Sequence, residues 1–241
     1  MRRATWFLAA AVLAAGAAYG QEATPGPAIT GADELVQKKG ALASTWVRPD
    51  ADIGRFSKLY LWEPEFQFRE GGETSAGTTS QLLRGDSGPF AIRAEDKERF
   101  KTLVSETFVA ELERSKLFEV VDQVGPETLI VRAGFLDIVS DVPPNVERYG
   151  NIYLASVGEA TIVFELIDAT TGVIQARAAE RQQIQPEWRT RGVNTAPANS
   201  ATVWSDVERW AREQAQDLRQ ALERAKKRRP PEGPPVSSAV E

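Results

Sequence analysis

Any chemistry this chain performs must come from carboxylates, hydroxyls, Tyr, Lys and Arg, because its 241 residues include no His and no Cys. Without imidazole the usual general base, the commonest metal ligand and the ordinary catalytic triad are missing. Without thiols, disulfides and lipid attachment at a cysteine are excluded. A glycosidase-type pair needs carboxyl groups about 5 to 9.5 Å apart. Glu159 and Glu165 share one face of a predicted strand, but six residues at about 3.4 Å each put roughly 20 Å between them. No pattern marks a pair assembled across strands. Ser and Lys lack the Ser-x-x-Lys spacing of the penicillin-interacting enzymes. The glycines of Arg69–Pro89, Gly71-Gly72 and Gly77 among them, are not followed by the Lys and Ser/Thr that a phosphate cradle needs. No catalytic, cofactor-binding or metal-ligating residue can be named, and no cofactor is implied. The expectation is a protein that is not an enzyme.

The charge balance narrows the partners. Lys and Arg number 29 and Asp and Glu 34, for a formal charge of −5. Nucleic acid is not an expected partner for such a chain. The cations concentrate in Lys226, Lys227, Arg228 and Arg229, ahead of Pro230-Pro231. They complement the negative end of a preceding helix and solvate a loose tail. At most they make a peripheral contact with anionic lipid heads.

The first twenty residues read as a targeting segment. Arg2 and Arg3 are followed by an apolar run, Trp6 to Ala18, and Ala18-Tyr19-Gly20 places small residues three and one before a cut ahead of Gln21. The run is too short to span a bilayer comfortably. The expected mature protein is soluble, periplasmic or secreted, and carries two fewer positive charges.

The elements that would position any site come next. Val157 to Ile184 reads as two strands joined by a tight turn. Ala160, Ile162, Phe164 and Leu166 alternate with Glu159, Thr161 and Glu165, which sends apolar and polar side chains to opposite faces. Ile174, Ala176 and Ala178 form the apolar set of the second strand, with Gln175, Arg177 and Arg181 on the other side. A three-residue connection, Thr170-Thr171-Gly172, keeps both apolar sets on one face. It sets Glu165 opposite Arg177, Phe164 opposite Ala178, Leu166 opposite Ala176 and Ala169 opposite Val173. Gly172 then takes a positive φ.

Before this hairpin, Lys58–Trp62 is a strand, ended by Pro64 and briefly continued by Phe66 and Phe68. Ala94–Ser115 is a helix with Phe100, Leu103, Val104, Phe108 and Leu112 on one stripe. Leu117–Val121 is a short strand. Thr128–Val139 is a long central one, with Leu129, Val131 and Phe135 facing one way and Ile130, Leu136 and Ile138 the other. Thr202 to Lys226 is a second amphipathic helix, capped by Thr202 or Ser200, with Trp210 central on its stripe. Leu42 and Trp46 dock on the sheet, Trp46 as a core plug. The stretches Arg69–Pro89, Pro143–Asn151 and Gln185–Ala201 read as loops.

The order strand, helix, strand, strand, hairpin, helix predicts an α+β two-layer sandwich. Its sheet is mostly antiparallel, with two amphipathic helices packed on one face. The domain reading is a signal peptide over 1–20, a flexible leader over 21–40, one α+β domain over 41–226 and a disordered Pro-rich tail over 227–241. A core of that size needs no metal or disulfide staple.

Several short runs together resemble a known family. They are Trp46-Val47-Arg48-Pro49 before the first strand, Phe118-Glu119-Val120-Val121 after the first helix, and Gly125-Pro126-Glu127-Thr128-Leu129. Ala160 to Gly172, ending in an Asp-x-x-Thr-Gly turn, and Trp210-Ala211 complete the set. Over about residues 40 to 226 the chain resembles the bacterial family called domain of unknown function 3313, whose members are commonly described as lipoproteins. The resemblance implies an envelope location and no established activity. This chain departs from the lipoprotein pattern in having no cysteine to lipidate. The functional expectation is a non-catalytic binding or adaptor domain of the cell envelope, with an envelope protein as partner. One alternative is a small-ligand carrier with Trp46, Trp62 and Trp188 around a pocket; the other is a carboxylate-based hydrolase.

Overall fold

The computed structural model describes residues 30–40, 42–70, 89–143, 154, 156–187 and 199–228. The signal segment, the Pro-rich tail, Trp188, Arg229 and most of the three expected loops lie outside the described residues. The strands are β1 (Val36–Lys38), β2 (Ser44–Val47), β3 (Lys58–Leu61), β4 (Glu65–Phe68), β5 (Glu119–Val121), β6 (Thr128–Ser140), β7 (Gly158–Asp168) and β8 (Ile174–Ile184). The helices are α1 (Ala94–Leu112) and α2 (Ser200–Lys227). No described helix is long and apolar enough to cross a membrane.

The eight strands form one sheet in the order β1-β2-β8-β7-β6-β3-β5, with β4 also paired to β6. The long β6–β7 and β7–β8 ladders are antiparallel. The α+β reading with its helices on one face holds. The sheet is more mixed than expected, because β3, β4 and β5 all join it in parallel. The chain passes from β3 and β4 through α1 to β5, and a helical crossover returns a strand parallel to the one it left. Pro64 has the expected effect: β3 stops at Leu61, and β4 resumes farther along the same edge of β6.

Residues expected in the flexible leader already belong to the sheet. Val36–Lys38 pair with β2, and Thr30 bridges Val173. Trp46 is not a core plug. It lies within β2, half-buried and paired with Arg177, while Leu42 does enter the core.

The core lies between the sheet and the two helices. The α1 stripe buries Phe100, Val104, Phe108 and Leu112, and α2 buries Val207, Trp210, Ala211, Ala215, Leu218 and Leu222. Asn199, and neither Thr202 nor Ser200, caps α2. Its side-chain oxygen accepts the Thr202 amide at 3.0 Å, and the Thr202 hydroxyl accepts the Asn199 amide at 2.9 Å. This reciprocal box satisfies two amides that a helix start leaves without partners.

The hairpin register is as expected over most of its length: Phe164 pairs Ala178, Glu165 pairs Arg177 and Leu166 pairs Ala176. Near the turn it slips by one residue, so that Ile167 pairs Ile174 and Ala169 does not pair Val173. The extra residue is Gln175. Its bulge reverses the facing of everything beyond it. Ile174 therefore leaves the apolar set of Ala176 and Ala178 and joins Ile130 and Ile167 in a small cluster on the far face. A second irregularity, in β6 at Asp137 with φ 53°, returns Ile138 to the helix-covered core. Ile138 was expected to face away from Phe135.

Asp168 organises the turn. Its carboxylate accepts from the Thr170 amide at 2.8 Å and the Thr171 hydroxyl at 2.9 Å, and pairs with Arg55. Gly172 sits at φ 70°. Gly172→Val forces a β-branched side chain into the left-handed region and should cost more than about 1 kcal/mol in urea unfolding. Trp210 is 3% exposed, and its indole N–H has no hydrogen-bond partner among the described residues. Trp210→Ala should cost about 3–5 kcal/mol. Trp210→Phe should cost much less, because it also removes a buried donor that is expensive to leave unpaired. Equal losses for the two variants in urea titrations would show that the N–H is satisfied.

Candidate functional site

With both α-helices on one side, neither covers the other face of the sheet; there Leu35, at the end of a single 3-10 turn over Ala32–Glu34, packs on the small cluster near the hairpin turn. Ladder pairing decides which side chains meet there, because partners across a ladder point to the same face. One row runs across five strands. Trp46 of β2 pairs Arg177 of β8, Arg177 pairs Glu165 of β7, and Glu165 pairs Arg132 of β6. Arg132 in turn reaches Glu65 of β4 at 3.6 Å. Glu165 is 8% exposed and sits between its two arginines. It accepts the Arg177 Nε–H at 2.8 Å and an Arg132 N–H at 3.4 Å. Tyr60 and Trp62 stand edge to face, 6.5 Å apart, on the β3 side of the row, with Trp62 47% exposed.

A second row lies farther up the same strands. Arg69 places its Nε 2.6 Å from Asp137, and Arg181 joins Asp137 at 2.8 Å. Arg181 also binds Glu159 and the Thr161 hydroxyl. The bulge at Asp137 is what points a carboxylate toward both arginines. In the first row charges of opposite sign alternate between neighbouring strands; in the second, Arg181 bridges carboxylates of the adjacent strands β6 and β7, and together the rows carry four cations and four anions.

This arrangement is poor equipment for acid–base catalysis. The hydrogen bond from Arg69 holds the Asp137 carboxyl below the usual range; burial works against this, and the charges of Arg69 and Arg181 add to it. A glycosidase acid needs the opposite shift. Glu159 and Glu165 fall in different rows, in keeping with the separation expected of them. Among the described residues no group of three or more Asp or Glu is placed to hold a metal ion.

Of the indoles expected around one pocket, Trp188 lies outside the described residues, and Trp46 and Trp62 stand apart. Trp46 lies in β2 and Trp62 directly follows β3, and three strands separate β2 from β3. At about 4.8 Å per step that is roughly 19 Å along the face. Within the basic stretch, Lys226 is engaged by the fold: its ammonium donates to the Phe56 carbonyl and lies 4.6 Å from the Phe118 ring centre. Lys227 and Arg228 are exposed. The charge rows escaped the sequence reading except for Glu165 and Arg177. Their other members come from strands distant in sequence, and only the register joins them.

No family model and no curated protein matches the chain. Solved structures do resemble it. One is a Xanthomonas campestris protein of domain-of-unknown-function family 330, at 8% identity and TM-score 0.39, covering 68% of this chain and 82% of that one. A hypothetical protein of Chlamydia trachomatis is similar at 9% identity and TM-score 0.35, covering 70% and 99%. The PelC dodecamer of Paraburkholderia phytofirmans is similar at 12% identity and TM-score 0.31, covering 76% and 96%.

One group stands apart from the charge rows. The Asp141 carboxyl is raised above its usual range, chiefly by burial; a hydrogen bond with Ser156 works against the rise and the Glu159 charge adds to it. A folded-state pKa above the unfolded one favours the fold while the group is protonated. That contribution is present below the unfolded value of about 3.9 and is lost as pH rises through the folded value. Asp141→Asn should therefore raise the melting temperature at pH 7 and leave it nearly unchanged at pH 3. A melting temperature that falls at pH 7 would contradict this account.

Proposed function

We propose that this chain is an exported, non-catalytic binding domain of the bacterial cell envelope, which engages a protein partner through the open face of its sheet. The observation that carries the reading is the pair of cross-strand charge rows on a face that neither α1 nor α2 covers. Strand pairing fixes their positions, so the face is preorganised and little ordering is required on contact. Its composition points to the kind of partner. Four arginines balanced by four carboxylates attract neither nucleic acid nor an anionic lipid surface. They suit a protein surface of mixed charge, with Trp62 and Tyr60 as the aromatic anchor that interfaces favour.

The envelope part of the proposal rests on the sequence. Its supports are the Arg2-Arg3 start, the apolar run, the Ala18-Tyr19-Gly20 site and the resemblance to domain of unknown function 3313. The missing lipidation cysteine favours a free periplasmic or secreted protein over a tethered one. Mass analysis of the exported protein should find Gln21, within a few residues, at its N-terminus. Intact Met1 in the membrane fraction would overturn export with cleavage.

The binding part has its own test. A photo-crosslinking residue placed at Trp62 or Val163, on the open face, should capture one envelope protein in living cells. The same residue at Asp217, on the outer side of α2, should not. Equal capture from all three positions, or none from the open face, would overturn it.

A further inference from the structure

The fold forms a partly open cavity of about 210 Å³ at one end of the core. It lies away from the open face, between the starts of α1 and α2 and the ends of β6 and β8. The apolar part of its wall is formed by Phe68, Phe100, Ile138, Ile184, Val207 and Trp204. Arg99 lies over the Trp204 ring, 4.4 Å from its centre. Polar residues line it as well: Arg93, Asp96, Ser140 and Ser200.

We propose that this cavity is a binding site for a compact, uncharged amphiphile: one ring or a short branched chain ending in a hydroxyl, carbonyl or ether oxygen. The proposal is independent of the open face and adds a small-molecule site to the binding function. Three observations define the ligand. Size is the first. An apolar engineered cavity of about 150 Å³ takes benzene, and drug-sized ligands need about 300 Å³ or more. The present cavity therefore holds one ring with a few further atoms. The second is the apolar part of the wall, which offers a ring or a branched chain close contact.

The rim is the third, and it argues against an anion. The Arg93 guanidinium is already matched by Asp96 at 2.8 Å and Glu95 at 3.2 Å. Asp96, which lines the cavity, repels a ligand carboxylate. Donors for a neutral oxygen are nevertheless at hand. The hydrogen bonds of α1 begin at Lys97, which donates to the Arg93 carbonyl, and Arg93 provides no side-chain cap. The amides before Lys97 therefore lack intrahelical acceptors. The Ser140 hydroxyl accepts the Val142 amide at 3.1 Å and keeps its own proton to donate.

The test uses the full chain and three probes: benzyl alcohol, cyclohexanol and benzoate. Methyl resonances of Ile138, Ile184 and Val203 should shift saturably with both alcohols. Benzoate should bind at least about tenfold more weakly at pH 7, the penalty for bringing an anion beside the Asp96 carboxylate. Val203→Phe fills the cavity from a half-buried position in α2 and should abolish the alcohol response while the protein still melts cooperatively. Ala91→Phe does the same from an exposed residue and serves where the first variant does not fold. Absence of saturable shifts with either alcohol overturns the proposal. So does benzoate binding as tightly as benzyl alcohol, or an alcohol response unchanged in a folded variant.

Discussion

Phe135 has no exposed surface because three other elements meet on its ring. Phe66 of β4 stacks on it at 5.1 Å, Phe108 of α1 meets it edge on at 5.4 Å, and Trp210 of α2 does so at 6.1 Å. Phe100 then links β4 to α2 through Phe68 at 5.9 Å and Trp210 at 6.2 Å. Aromatic groups of this size bury large areas and prefer stacked or edge-on geometries. The cluster thus fixes both how closely the helices approach the sheet and which side they occupy. Once α1 and α2 share this cluster, neither can cover the opposite face.

The division of the sheet into two faces follows from that constraint. On the helix side, the long strands alternate to supply Leu129, Val131, Ile162 and Phe164 to the core. On the other side the same alternation supplies Arg132, Glu165 and Arg177. A charge row on an open face adds little stability, since exposed pairs contribute about 0–1 kcal/mol each. Glu165 differs because it is nearly buried between its partners, and removing either arginine leaves a desolvated carboxylate under-compensated. The row is better understood as a fixed pattern of charge than as a stabilising device.

Two bulges adjust this plan at its ends. At Gln175 the slip moves Ile174 to the far face, where it closes a small apolar cluster with Ile130 and Ile167. At Asp137 a residue in the left-handed region returns Ile138 to the core and points a carboxylate toward Arg69 and Arg181. Each bulge exchanges one ladder position for a change of facing. The first seals the base of the open face near the hairpin turn. The second builds the upper charge row and also places Ile138 in the wall of the cavity.

The sequence by itself determined the elements that are periodic over many residues. The α1 stripe, the α2 stripe with Trp210 central, and the hairpin with Glu165 opposite Arg177 all follow from local spacing, because helix and strand geometry repeat at 3.6 and 2 residues. The positive φ of Gly172 follows as well, since a short turn needs a residue without a Cβ there. Tertiary structure alone decided the rest. Parallel addition of β3, β4 and β5 depends on where a helical crossover returns the chain, and spacing within a strand does not encode this. The bulges at Gln175 and Asp137 break the period that sequence reading relies on, so Ile174 and Ile138 were each assigned to the wrong face. Trp46 carried the signature of a core residue, yet pairing with Arg177 placed it on the open face. The charge rows and the cavity bring together residues from segments far apart in the chain. Their proximity is a property of register and packing, to which no single stretch of sequence has access.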